Sequence, residues 1–210
     1  MNHQYLLLPV LALSLLSACS RDKPDAAVDT PAASTKQAPP PVQITEPTQM
    51  EYEEPIVGGA RMVAGESILS NLAKSSEHKI LMSAIDAAGL TEILQGNGPF
   101  TLFAPTDAAF RAIPGGYDDL MKVENRQRLI SVLSYHLVPE RLDADVLAKR
   151  VMDGNGSAQL TTVEGGTLKV TVGDGAAILV DSKGSFSKMT TPNVLQSNGV
   201  VQVIDSVLMP

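Results

Sequence analysis

Cysteine occurs once in the 210 residues, at Cys19, so no intrachain disulfide and no cysteine-based zinc cluster can form. Tryptophan is absent, aromatic residues make up 4%, and three histidines leave little material for a metal centre. Neither metal nor cofactor is expected. Basic residues are outnumbered: 16 Lys+Arg against 23 Asp+Glu give a net charge of −7, which disfavours nucleic acid as a partner. No glycine-rich phosphate loop precedes a helix. The apolar run Leu6–Leu16, broken by Pro9 and Ser14, is far short of the roughly 20 residues of a membrane span. Composition therefore favours a binding or structural module over an enzyme.

What is present at the N-terminus reads as a secretory leader over residues 1–18. A cut before Cys19 puts Ala18 at −1 but Leu16 at −3, where an ordinary signal peptidase requires a small residue. The tetrapeptide Leu16-Ser17-Ala18-Cys19 instead resembles the lipobox of bacterial lipoproteins at all four positions. That resemblance implies that Cys19 is acylated and becomes the mature N-terminus. Each buried methylene then contributes about 0.8 kcal/mol, and two or more chains make a stable membrane anchor. Ser20, not Asp, follows the cysteine, which in a Gram-negative host implies the outer membrane.

Residues 19–61 read as an acidic tether rich in proline and alanine. Ser20–Pro55 holds seven prolines and five alanines, too little apolar surface to offset the entropy of ordering, so disorder is expected. Ile56-Val57-Gly58-Gly59 resembles the mature terminus of trypsin-like serine proteases. No Gly-Asp-Ser-Gly-Gly segment, cysteine pairs or second barrel supports that reading, and it is rejected.

Residues 62–210 form the expected globular part, about the size of one domain. Its first half is helical by period: Ile68, Leu69, Leu72, then Ile80, Leu81, Ala84, Ile85 and Ala88, with Gly89 as C-cap. A short strand, Phe100–Ala104, runs into Thr106, the N-cap of a helix Asp107–Ile113. A further helix spans about Glu124–Leu137. Beyond residue 155 the period becomes two, predicting strands at 158–163, 167–172, 177–180, 186–190 and 200–208. Helices followed by a strand meander make the fold class α+β, with helices packed on antiparallel sheets.

Three segments carry a specific likeness. Gly98-Pro99-Phe100-Thr101-Leu102-Phe103-Ala104-Pro105-Thr106-Asp107-Ala108-Ala109-Phe110 resembles the first signature of the fasciclin domain. Ser134-Tyr135-His136-Leu137-Val138-Pro139 is similar to its central Tyr-His motif, and Gln196–Asp205 to its closing signature. The resemblance implies a wedge-shaped antiparallel β-sandwich flanked by helices, used outside the cell for adhesion, with no catalytic residues. The motif positions, read as mostly structural, are Phe103, Pro105, Thr106, Asp107, Phe110, Tyr135, His136, Asn198, Gly199 and Asp205. Three positions depart from the family pattern: Gln202 stands for a frequent histidine, Asn193 for an aspartate and Glu140 for a glycine. These departures count against integrin-type recognition.

His136 is the tempting catalytic candidate, but it lies on the apolar face of its helix with no second group in view. It is read as a buried imidazole satisfied by backbone groups. Ser185-Phe186-Ser187-Lys188 lacks the companion motifs of penicillin-binding enzymes. Asp153, Asn155, Ser157 and Glu164 fall at calcium-loop positions, but Ala158 occupies the required glycine. The expected function is a lipid-anchored adhesion module. It is held to the membrane through Cys19, and its partner is an envelope or matrix polysaccharide or a surface protein. The alternative is a carrier of a small apolar ligand, pigment or lipid, in a cleft between helices and sheet.

Overall fold

The computed structural model describes residues 54–173 and 175–210. The leader, Cys19 and the tether up to residue 53 lie outside the described residues, as does Asp174. Gln49–Pro210 is a compact unit by itself.

It opens with a two-stranded hairpin, β1 (Ile56–Val57) and β2 (Ala60–Arg61). The hairpin falls within residues 19–61, the stretch read as tether. Val57 is 5% exposed in the apolar core, and the Met62 N–H donates to the Pro55 carbonyl at 2.9 Å. One valine and a glycine turn suffice because they pack onto the ordered helices beside them.

Helices α1 (Ile68–Lys74), α2 (Lys79–Ala88) and α3 (Thr91–Gln95) follow. Gly89 ends α2 in the left-handed region at φ 78°, and its N–H donates to the Ile85 carbonyl. Strand β3 (Phe100–Pro105) leads through Thr106 into α4 (Asp107–Arg111), then α5 (Tyr117–Leu120) and a 3₁₀ turn at Val123–Asn125. Helix α6 is shorter than the apolar pattern suggests. It covers Arg126–Tyr135, His136 is its C-cap, and Leu137 already belongs to strand β4 (Leu137–Val138).

Helix α7 (Ala144–Asp153) has no counterpart among the expected elements; Asp143 caps it by accepting from the Val146 N–H at 2.9 Å. The meander then runs β5 (Ser157–Thr161), β6 (Thr167–Gly173), β7 (Ala176–Val180), β8 (Phe186–Gln196) and β9 (Gly199–Ile204). The last strand stops at Ile204, four residues before the expected Leu208.

The strand order is β4-β3-β9-β8-β7-β6-β5, antiparallel except for β3 with β9. Strand β8 serves two neighbours: Phe186–Lys188 pair with β7, and Met189–Gln196 pair with β9. Register shifts at Met189/Thr191 and Thr191/Val194 mark the handover. Pro192 and Asn193, the latter at φ 60°, occupy that irregular stretch, where a missing donor and a positive φ are tolerated. Two apolar cores result. One joins α1–α6 to β3 and β9 around Phe110; the other joins Phe103 and Tyr135 to α7 and β5–β8. The fold is α+β with a large, mostly antiparallel sheet.

Candidate functional site

The three signature segments meet along β3 and β9. Asn198, 8% exposed, ties the β8–β9 turn to the helices. Its Oδ1 accepts from the Ile68 N–H at 3.0 Å, and its Nδ2 donates to the carbonyls of Leu94 (2.7 Å) and Gly96 (3.1 Å). Gly199 follows because a Cβ there would fall inside contact distance of the Phe100 carbonyl. Pro105 sits opposite Ile204 at the end of the parallel ladder. Phe103 and Phe110 enter different cores.

Thr106 caps α4 through the Ala109 N–H at 3.3 Å. Asp107 fastens two helices: its N–H donates to the Glu77 carbonyl at 2.7 Å, and its Oδ1 accepts from the Ile80 N–H at 2.9 Å. Asp205 is exposed and accepts from the Lys188 N–H at 2.8 Å, closing the end of β9.

Tyr135 and His136 are both fully buried. The Tyr135 hydroxyl donates to the Thr167 carbonyl at 2.7 Å and accepts from the Ser182 N–H at 3.1 Å, while burial pushes its pKa up. His136 Nδ1 lies 2.7 Å from the Val132 carbonyl and so carries the proton, and Nε2 accepts from the Leu208 N–H at 3.0 Å. Burial lowers its pKa to about 4. The imidazole is neutral at physiological pH and has no ring nitrogen left for a substrate.

Several buried polar residues carry no motif signal in the sequence. Asp181 accepts from Lys183 and Ser185 N–H through Oδ1 and from Met209 N–H through Oδ2, pinning the C-terminus. Asn71 pairs with Gln196. His78 is 0% exposed; its Nδ1 is 2.9 Å from the Ser75 hydroxyl, while Nε2 has no hydrogen-bond partner. Burial lowers its pKa, outweighing the nearby carboxylates of Asp107 and Glu77. Such residues could be found only by knowing which turns fold over which strands.

The three departures from the family pattern act on one segment. Gln202 Nε2 donates to the Leu142 carbonyl at 2.8 Å, and its Oε1 accepts from the Asn193 N–H at 2.9 Å. Asn193 Oδ1 accepts from the Ala144 N–H at 2.5 Å. The Glu140 carboxylate is ion-paired with Arg150, and its carbonyl accepts from the Thr101 hydroxyl at 2.6 Å. Together they fasten Glu140–Ala144 and the start of α7 to β3, β8 and β9.

Between α7 and strands β6–β8 lies an apolar cleft of about 640 Å³. Ala144, Leu147, Ala148 and Val151 form its helical wall, with Val170, Ala177 and Met189 opposite. Among the described residues no group of three or more metal-ligating side chains occurs, and no helix is long and apolar enough to cross a membrane.

Comparison with known proteins agrees with this architecture. The model of the fasciclin domain matches residues 76–210. Protein sll1483 of Synechocystis sp. is 33% identical over 156 residues, covering 74% of this chain and 79% of the relative. The cell surface glycolipoprotein MPB83 of Mycobacterium bovis is 26% identical over 228 residues, covering 97% of this chain and 93% of the relative. The solved FAS1 domain pair from the insect cell adhesion molecule fasciclin I has the same fold. It superposes with a TM-score of 0.62 at 20% identity, covering 69% of this chain and 51% of that one. With the family model matched over most of its length and a relative of this similarity, the chain belongs to the fasciclin-domain family.

Proposed function

We propose that this chain is a non-enzymatic adhesion module, held on a bacterial membrane by lipid on Cys19 and presented to partners by the tether. The observation that carries the reading is the reach of one likeness. The alignment with a cell surface glycolipoprotein covers 97% of this chain, so it includes the leader and tether as well as the domain. The lipobox Leu16–Cys19 supports the same anchor from the sequence. In a Gram-negative host the membrane is the outer one, and the partner is an envelope or matrix polysaccharide or a surface protein. The family motifs do not form a reaction centre, which fits binding better than catalysis.

Mass spectrometry of the mature N-terminus tests the anchor. The expected species begins at an acylated Cys19, and Cys19→Ala moves the chain to the soluble fraction. An unmodified terminus at another residue overturns the reading.

A further inference from the structure

The cleft under α7 is a void made by small residues facing each other. Along α7 the positions 144, 147, 148 and 151 share one face, the spacing of successive turns. Two of these four are alanines, and Ala177, on the sheet face that carries Val170 and Val172, stands on the strand side with Gly175. Larger side chains at those positions would fill the space. Collapse of α7 onto the sheet is opposed at its start by the bonds from Gln202 to the Leu142 carbonyl and from the Ala144 N–H to Asn193, and by the Asp143 cap. The cleft therefore persists as a built feature of the fold.

Its lining is mainly apolar. Val170, Val172, Ala177 and Leu179 fall on one face of β6 and β7, by the pairings Val170 with Leu179 and Val172 with Ala177. Lys188 also borders the cleft, but it lies between the buried Ser187 and Met189 and alternates to the opposite sheet face. By that alternation no charged side chain among the described residues faces the lumen, so a charged group placed there would lose its hydration without a partner among them. Val172, 55% exposed at the mouth, leaves an apolar entrance open to solvent.

Size selects the occupant. Thirteen residues line the cleft, about half the 20–30 per side of a standard protein interface, so it is too small for a stable protein partner. A volume of about 640 Å³ lies within the roughly 300–1,000 Å³ range of small-molecule sites. From Ala144 to Val151 the helical wall is about 10 Å long, which suits a chain-like or flat molecule. We propose that this cleft binds one uncharged apolar small molecule, such as a neutral lipid chain, between α7 and β6–β8.

The test uses Gln49–Pro210, the compact unit that contains every described element and both cores. Nile red is titrated into the protein and displaced with 1-decanol or, at pH 8, with decanoate of the same chain length. The expected result is saturable 1:1 binding, displacement by decanol, and displacement by decanoate at least tenfold weaker. Ala148→Phe and, separately, Ala177→Phe should each weaken Nile red binding at least tenfold. Urea midpoints and circular dichroism verify that each variant is folded, and the conclusion is read from whichever is. Absent saturable binding to the wild type, unchanged binding in a folded variant, or equal displacement by decanoate overturns the proposal. So does a dimer in sedimentation that Ala148→Phe converts to monomer, since a second copy would then own the cleft.

Discussion

His136 shows how a motif residue can be read for chemistry and serve the core. Its two ring nitrogens join helix α6 to the C-terminal segment through Val132 and Leu208, and its own carbonyl accepts from the Phe103 N–H at 2.9 Å. His136→Ala opens a cavity and strands the Leu208 N–H, costing about 2–4 kcal/mol. A lowered urea midpoint with unchanged slope is the expected readout. The imidazole is neutral in the folded state to about pH 4, whereas the unfolded chain takes up its proton near 6.5. Stability from this group is therefore complete above pH 6.5 and falls as pH drops toward 4, by about 3 kcal/mol in total. His78, lowered in the same direction, adds to the same loss. In His136→Ala the midpoint should depend less on pH between 4 and 6.5; an unaltered slope against pH would refute the assignment. Burial of His136 was legible from its place on an apolar helix face. Its partners were not, because Leu208 is distant in sequence and donates through backbone, which leaves no trace in residue type.

Elements divide along the same line. The helix α4 cap at Thr106 and the Gly89 terminus are local chemistry and stand where the pattern put them. The parallel pairing of β3 with β9 is not local, and a period of two says nothing about which strand lies alongside. Helix α7 was missed although Asp143 precedes Leu147, Ala148 and Val151 at helical spacing; the alanines weaken the apolar signal on the face that borders the cleft. Gly199 tests the closeness of β3 and β9. Gly199→Ala must push the Phe100 carbonyl and the Ile68 side chain, so a loss of about 1–3 kcal/mol is expected, against a few tenths for an exposed turn glycine. Thermal denaturation with both substitutions, Gly199→Ala and Gly65→Ala, measures the contrast, since nothing lies near a Cβ at Gly65.

At the scale of the molecule, the composition break between tether and domain lies close to a hairpin that packs on the helices. Pro55 and the two glycines look like linker, yet the Gly58 carbonyl accepts from the Ser76 N–H at 3.0 Å and hydroxyl at 2.7 Å. A chain starting at Met62 loses those bonds and the burial of Val57, and should be about 2–4 kcal/mol less stable than one starting at Gln49. Equal urea midpoints would mean that the hairpin adds nothing. The proposed role of the domain, anchored through Cys19, is to hold a cell to a surface. Its most direct measurement is retention of cells on immobilised envelope polysaccharide or envelope surface protein. Cells carrying the wild-type chain are compared with cells carrying Cys19→Ala and with cells lacking the chain. The account predicts retention for the wild type alone, released chain in the Cys19→Ala medium, and competition by added Gln49–Pro210. Retention that persists in Cys19→Ala while the chain is soluble, or equal retention of cells lacking the chain, would contradict it.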